Sequence, residues 1–555
     1  MDRNTLIAFF LIALVLLFTP KYMELFSPQA EDQKETFPLR EDENRDQNSQ
    51  LLSRKITPTK TVKNTNEKTQ KKTPLNTEKL TTIKTELYTA VFSNAGGGTI
   101  KSFHLNNYFD SDGQFVNVIN QNPTQNLSIH IKDLDGNPID LTGNWIESTK
   151  PNRYTVDEKD ILEYELELFD NISIKKVFSF NPKDYTIGID INFDDLKDLI
   201  YRDVRFSWNG GLSPSEKDIK DDQTYFKSYL YQGDELEELK TKPGKQDKKE
   251  YNGITNWGAI RTKYFVSSII PQDPSNVRSA SLSGTNDSLE TYNMSFTFDC
   301  YKNSNFILYL GPLEYEKIKK LNVNLDVIMD FGWSFIRPVS KAVLFSLKRM
   351  HEYIPNYGVV LIVFSFLVKI LVFPLTKKSY QSTSAMQQIQ PQVNALRDKY
   401  KNDPQKMNQA TMKLYKEKGV NPLGGCLPMV LQMPLLFALF VVFRTTIELR
   451  SEPFIWWIKD LSSPDKILDL PFTIPLYGSH VAFLPILMVI STFIQQRMMS
   501  GGIQQPQQKM MQYFMTGFFF LIFNNFPSGL NLYYTLFNVL TIAQQKLMPA
   551  KPKGT

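Results

Sequence analysis

The run Tyr357-Gly-Val-Val-Leu-Ile-Val-Phe-Ser-Phe-Leu-Val-Lys369-Ile-Leu-Val-Phe-Pro374 decides how the rest of this 555-residue chain is read. Apart from Lys369 it suits lipid, and its length approaches the roughly 20 residues a helix needs to cross a hydrocarbon core. A lone ammonium there costs roughly 2.5–3.5 kcal/mol on insertion scales, so it normally faces a partner or water. No Asp or Glu occurs inside the other apolar segments to pair with it. A hydrophilic cavity with a fixed positive charge, inside a helical bundle, is therefore expected.

Four more apolar segments follow, near 423–443, 479–495, 510–526 and 529–546. With the first they predict a five-helix membrane core over 357–547. Several are short for a full crossing, and short spans thin the bilayer around them. Between the first two, the 376–422 loop holds nine Lys and Arg residues, against four in the 444–478 loop. By the positive-inside rule the basic loop and the carboxyl terminus are cytoplasmic, and what precedes the core faces the other side.

The basic loop reads as a helical hairpin over 376–421. Met386, Ile389, Val393, Leu396 and Tyr400 recur at spacings of three and four. Asp403 caps a second helix with Pro404 in its first turn, and Met407, Thr411 and Leu414 continue the apolar face until Gly419 stops it. The face is read as a capture surface for hydrophobic segments, its methionines giving adaptable contact; a lipid-skimming hairpin is the alternative. Near Lys369, Ser365 lies one turn back on the same face. Gln432, Asn531, Tyr533, Tyr534 and Asn538 add polar groups in other spans; alone, each reads as an interhelical hydrogen bond.

The first half of the chain is different. Residues 1–25 contain an apolar run from Leu6 to Phe18 and read as an uncleaved signal anchor. Residues 26–84, rich in Lys, Thr, Asn, Gln and Glu, read as a flexible polar linker. Over 85–312 the period becomes two: Leu162, Tyr164, Leu166 and Leu168 alternate with glutamates, and Tyr185, Ile187, Ile189, Ile191 and Phe193 with polar or small residues. Such short alternating strands with Gly, Pro and Asn breaks predict an antiparallel β-sandwich. Residues 313–356 carry Ile328, Phe331, Phe335, Val339, Val343 and Leu347 at helical spacing, an interfacial amphipathic helix bent near Pro338. A short basic tail, 548–555, closes the chain. The fold class is thus a multi-domain membrane protein, an α-helical bundle with an anchor helix and a large β-sandwich.

Composition excludes several functions. Cys300 and Cys426 fall in different regions, so no disulfide framework is expected. His104, His130, His351 and His480 lack ligand-like spacing, which argues against a metal site. No phosphate-binding loop, nucleophile elbow or zinc motif occurs, and one lysine without a carboxylate relay does not make a proton-coupled pump. The chain is expected to be neither an enzyme nor a cofactor binder. A small-molecule transporter or lipid scramblase would also want a wet groove, but paired inverted repeats are not evident. An enzyme in the β-domain would need clustered His and carboxylates.

Several motifs in order resemble the YidC/Oxa/Alb family of membrane-protein insertases: Asn421-Pro-Leu-Gly-Gly-Cys-Leu-Pro428, Gln432-Met-Pro434, Phe526-Pro-Ser-Gly-Leu530 with Tyr533 and Tyr534, and Phe373-Pro-Leu-Thr-Lys377. Upstream, the runs 92–98, 257–265 and 329–333 are similar to the Gram-negative form with a large periplasmic domain. The resemblance implies a bacterial inner-membrane protein that receives short hydrophobic nascent proteins from the ribosome, alone or beside the Sec translocon and its accessory subunits. Both termini would be cytoplasmic. It implies partners among membrane lipids, no specific nucleic-acid binding, and a groove whose positive residue, typically Arg, is Lys369 here. It also implies that Gln432, Met433, Tyr533 and Tyr534 face the path of a substrate helix.

Overall fold

The computed structural model describes residues 77–120, 125–148, 153–169, 171–287, 289–302, 304–401, 403–420, 427–500 and 506–547. The expected anchor, most of the linker, the tail and Cys426 lie outside them.

The alternating segments form the strands they predict. Residues 160–169 and 172–180 make an antiparallel pair, and Thr186–Asn192 joins the second of these. They belong to a nine-stranded sheet with edges at Glu235–Leu239 and Ile146–Glu147. Ile174, Lys176, Phe178 and Phe180 all point to one face, because successive side chains alternate across a strand. Two smaller sheets cover that face. A five-stranded sheet meets it where Phe92 packs edge-on against Phe178 at 5.1 Å. A six-stranded sheet meets it where Phe206 and Phe298 pack against Phe306. Among the described residues the sandwich is antiparallel except for one parallel pairing, Leu80–Lys84 with Arg153–Thr155. Leu80–Lys84 falls inside the stretch expected as linker. Thr81 and Ile83 are its buried side chains, and the polar run around them concealed so short an alternation.

Gly98 sets how closely two sheets approach. Its φ is +101°, and an added Cβ would lie 2.3 Å from the Phe178 ring. Gly98→Ala should therefore cost on the order of 2–4 kcal/mol from backbone strain and overpacking. The measurement is thermal unfolding of the β-domain, expected to fall by several degrees.

The helical half begins with α1 (Arg337–His351), which carries Pro338 in its first turn. The proline starts this helix rather than bending a longer one, since its missing N–H costs nothing there. Phe335 thus lies outside the helix, exposed, while Ser340, Val343, Leu344 and Leu347 are buried. Next, α2 (Tyr357–Lys399) runs unbroken for 43 residues through Pro374 and Pro391. The first arm of the expected hairpin is thus a continuation of the first span. Both prolines are exposed, so their rings project outward, and Thr376 Oγ1 donates to the Val372 and Phe373 carbonyls beside the first. The second arm is α3 (Pro404–Glu417), capped by Asp403, whose side chain accepts from the Lys406 N–H.

Four helices complete the core: α4 (Leu427–Thr445), α5 (Phe483–Ser500), α6 (Pro506–Phe523) and α7 (Ser528–Leu547). Among the described residues one stretch, Tyr357–Lys377, is long and apolar enough to cross a membrane by itself. Read along their sequences, the apolar parts of α4, α5 and α6 are Leu427–Phe443, Phe483–Ile494 and Met510–Phe523. At ~1.5 Å per residue these span roughly 18–26 Å of the ~30 Å hydrocarbon layer. The segment expected to turn helical at 479 starts instead as a strand, Gly478–Ala482, paired with Lys466–Ile474. The Asn524 amide holds it there by donating to the Tyr477 and His480 carbonyls.

Candidate functional site

Lys369 sits midway along the apolar part of α2 and is only 8% exposed. Its Nζ donates to Thr541 Oγ1 of α7 at 2.7 Å and lies 4.4 Å from the centre of the Phe537 ring. Among the described residues no carboxylate pairs with it. A hydroxyl and a ring face supply dipoles but no neutralising charge, so the ammonium keeps its full field.

Beside it is a cavity of about 40 Å³, bordered also by Thr376, Tyr380, Gln432, Gln495 and Thr541. That volume admits one to a few waters, and the polar wall gives them partners. It is a wet notch, narrower than the open groove expected from sequence. Its polar members are not spread evenly. Thr376 and Tyr380 lie beyond Lys369 toward the hairpin, Gln432 early in the helix that follows the hairpin, and Gln495 and Thr541 late in helices that end on the same side. The polar wall of the cavity is thus drawn from the hairpin-side half of the bundle.

The residues singled out from sequence separate here. Gln432 shares the cavity with Lys369. Ser365 is fully buried, but its hydroxyl donates to the Leu361 carbonyl of its own helix, one turn back. Tyr533 is buried among Phe364, Tyr534 and Phe537. Tyr534 packs edge-on against Phe523, and Met433 is half-buried; none of these three borders the cavity. Asn538 bonds to Ser491 and Thr492, and Asn531 to the Phe523 and Phe526 carbonyls, both as interhelical or local ties. Thr541, the direct partner of Lys369, was not singled out. Its signal was the row Tyr533, Phe537, Thr541 at spacing four, one face of α7 turned toward α2.

The hairpin face is partly occupied. Ile389 is buried, and Met386, Val393, Leu396, Tyr400, Met407 and Leu414 are half-buried, while Met412 is exposed. The hairpin also touches the bundle, where Gln387 Nε2 donates to the Met498 carbonyl at 3.4 Å.

At the opposite end, ion pairs fasten the bundle to the β-domain. Asp221 receives Lys263 Nζ at 2.8 Å and Arg444 Nη2 at 2.7 Å. Burial alone would raise the pKa of this carboxyl; the two cations hold it below the ordinary carboxylate value. Arg450, buried, pairs with Glu216 at 2.7 Å and donates to the Phe109 carbonyl. Lys348 of α1 bridges Glu314 and Glu448. Two of the four cations in the 444–478 loop are thus taken up by the β-domain.

Comparison with known proteins agrees with this architecture. Residues 349–553 match the family model of the 60Kd inner membrane protein, and residues 80–339 match that of the YidC periplasmic domain. A membrane protein insertase YidC of Chlorobium luteolum is 38% identical over 475 residues, 82% of this chain and 80% of that one. Its counterpart in Chlorobium limicola is 34% identical over 561 residues, 98% of this chain and 94% of that one. A crystal structure of an active YidC insertase is 18% identical, with a TM-score of 0.36, over 85% of this chain and 95% of that one. With both halves matched in order and identity sustained over most of its length, the chain belongs to the YidC family of membrane protein insertases.

Proposed function

We propose that the chain inserts proteins into the bacterial inner membrane by lowering the cost of moving one polar flank across. An arriving apolar segment meets the hairpin face, for which the α2–α3 arms must part, since much of that face is half-buried. Lys369 draws the acidic flank of the segment to the polar wall in the hairpin-side half of the bundle. The short helices leave a thinner barrier beyond it. The segment then leaves sideways into lipid, driven by burial of its apolar area. The chain supplies charge and position and no covalent chemistry.

The observation that carries this reading is the buried ammonium of Lys369, met among the described residues by a hydroxyl and a ring and by no carboxylate. An uncompensated charge at that depth is retained at a cost in stability, and attraction of an anion is what it offers in return. The ion pairs from Arg444 and Arg450 support a topology with the β-domain and the 444–478 loop on one, periplasmic, side. The hairpin and both termini are then cytoplasmic. Nascent membrane proteins are the substrates; the Sec translocon, the translating ribosome and lipids are partners in the same scheme. Gln432 acts beside Lys369, and Met433, Tyr533 and Tyr534 line the path only after the helices separate.

The test is reconstitution of the purified chain, alone, into liposomes with a single-span protein carrying an acidic tail. Protease protection of the tail well above that of empty liposomes is expected. Protection no better than empty liposomes would refute autonomous insertion.

A further inference from the structure

A second cavity, about 600 Å³, opens where the β-domain meets the ends of α1 and α4. One wall is apolar: Phe437 and Phe440 of α4, with Trp333. The other is cationic. Of the basic side chains on it, Lys227 pairs with Glu238, Lys240 with Glu290 and Arg444 with Asp221. Arg261 and Arg337 have no ion pair among the described residues.

Arg261 is the unusual group. It is 3% exposed, yet its guanidinium donates only to carbonyls: Nε to Thr262, Nη1 to Ile328 and Nη2 to Lys263, at 3.0, 2.6 and 3.1 Å. Tyr225 lies under it at 5.8 Å. Three of five donors are used and the charge is not neutralised. Arg337, exposed at the rim, opens α1, whose first turn has no side-chain cap. The carboxylate of Asp330 also borders the cleft and accepts from the Gly332 N–H; it is not paired with either arginine.

The geometry points to a single occupant. We propose that this cleft binds one anionic phospholipid of the leaflet facing the β-domain, its phosphate on Arg261 and Arg337 and its acyl chains along Phe437 and Phe440. The cleft joins a positive wall to an apolar wall at the level where an apolar helix ends and a polar domain begins. Trp333, 40% exposed at the mouth, fits the interfacial aromatic position. An arginine fork suits phosphate better than a point charge does. A lipid seated here would join the two halves of the molecule alongside the ion pairs of Asp221 and Glu216.

The experiment uses the full chain in vesicles of phosphatidylcholine and phosphatidylglycerol, with bromine on the acyl chains of one lipid or the other at constant composition. The readout is quenching of Trp333, taken as the difference between the chain and Trp333→Phe. Brominated phosphatidylglycerol should quench more than brominated phosphatidylcholine, and Arg261→Gln should remove that excess. Arg337→Gln, at an exposed site where folding is not at risk, should reduce it as well. Equal quenching by both lipids, or an excess unchanged in both variants, overturns the proposal. Loss of the excess on adding inorganic phosphate would assign a free-anion site and overturn the lipid.

Discussion

Lys369→Glu is expected to cut insertion of an acidic-tailed single-span protein by ~10–100-fold, with Lys369→Arg close to the parent. At an effective dielectric constant of ~20 and a separation of ~8 Å, two unit charges interact by about 2 kcal/mol, so reversing one sign changes the interaction by ~4 kcal/mol. Unscreened, that is about 1,000-fold; water in the cavity and salt reduce it to the ~10–100-fold range. The contact with Thr541 allows a second variant that separates charge from placement. Thr541→Val removes the hydroxyl but keeps the ammonium, so it should weaken insertion less than Lys369→Glu. Both are read by protease protection of the tail in liposomes. Activity of Lys369→Glu equal to the parent on an acidic tail would remove electrostatic attraction from the mechanism.

Lys176→Met is expected to stabilise the β-domain, by more at low pH than at high. Lys176 lies in the inward register of its strand, fully buried, with Nζ donating to the Leu127 carbonyl at 2.6 Å. Phe178 and Phe206 lie 5.3 and 5.8 Å away. Burial pushes its pKa from 10.5 down to about 7. Between about 7 and 10.5 the unfolded chain holds a proton that the folded chain has shed, so stability rises with pH across that window. Below about 7 both forms are charged and the folded state bears the whole desolvation cost, on the order of 5 kcal/mol. Leaving the Leu127 carbonyl without this donor returns about 1–3 kcal/mol. The net gain near pH 6 should be ~2–4 kcal/mol, or roughly 5–15 °C in melting temperature for a domain of this size. It should shrink as pH approaches 10. Near-ultraviolet circular dichroism of the full chain in detergent would follow it, and a gain independent of pH would contradict the charge-burial account.

These two lysines mark what was legible in the sequence. Lys369 stood out because everything around it is apolar and its charge had no partner in any other segment. Lys176 was hidden: Lys175 precedes it, strand residues in a half-polar sheet include many charges, and only the register decides which of two adjacent lysines points inward. The strands at 160–193 and the five helices were readable from period and length. Besides the end of the linker at Leu80, three boundaries were not. Pro338 reads as a kink until it is known that the helix begins there, and Pro374 reads as a stop until its exposure is known. Ser479–Ala482 continues an apolar run, and such runs do not distinguish strand from helix. At the site, Gln432 was legible as an intramembrane amide, whereas Thr541 is one hydroxyl among many and became visible only through the helix that faces it.

The unbroken α2 also makes the hairpin a lever. From Pro374 to Lys399 the helix extends ~37 Å at ~1.5 Å per residue. A bend of ~10° at the proline would sweep its tip by roughly 6–7 Å while Lys369, on the far side of the fulcrum, stays against Thr541. Docking at the tip can therefore be large in travel and nearly silent at the charge. A cargo load on the arm would change who arrives at the notch without having to rebuild the notch itself.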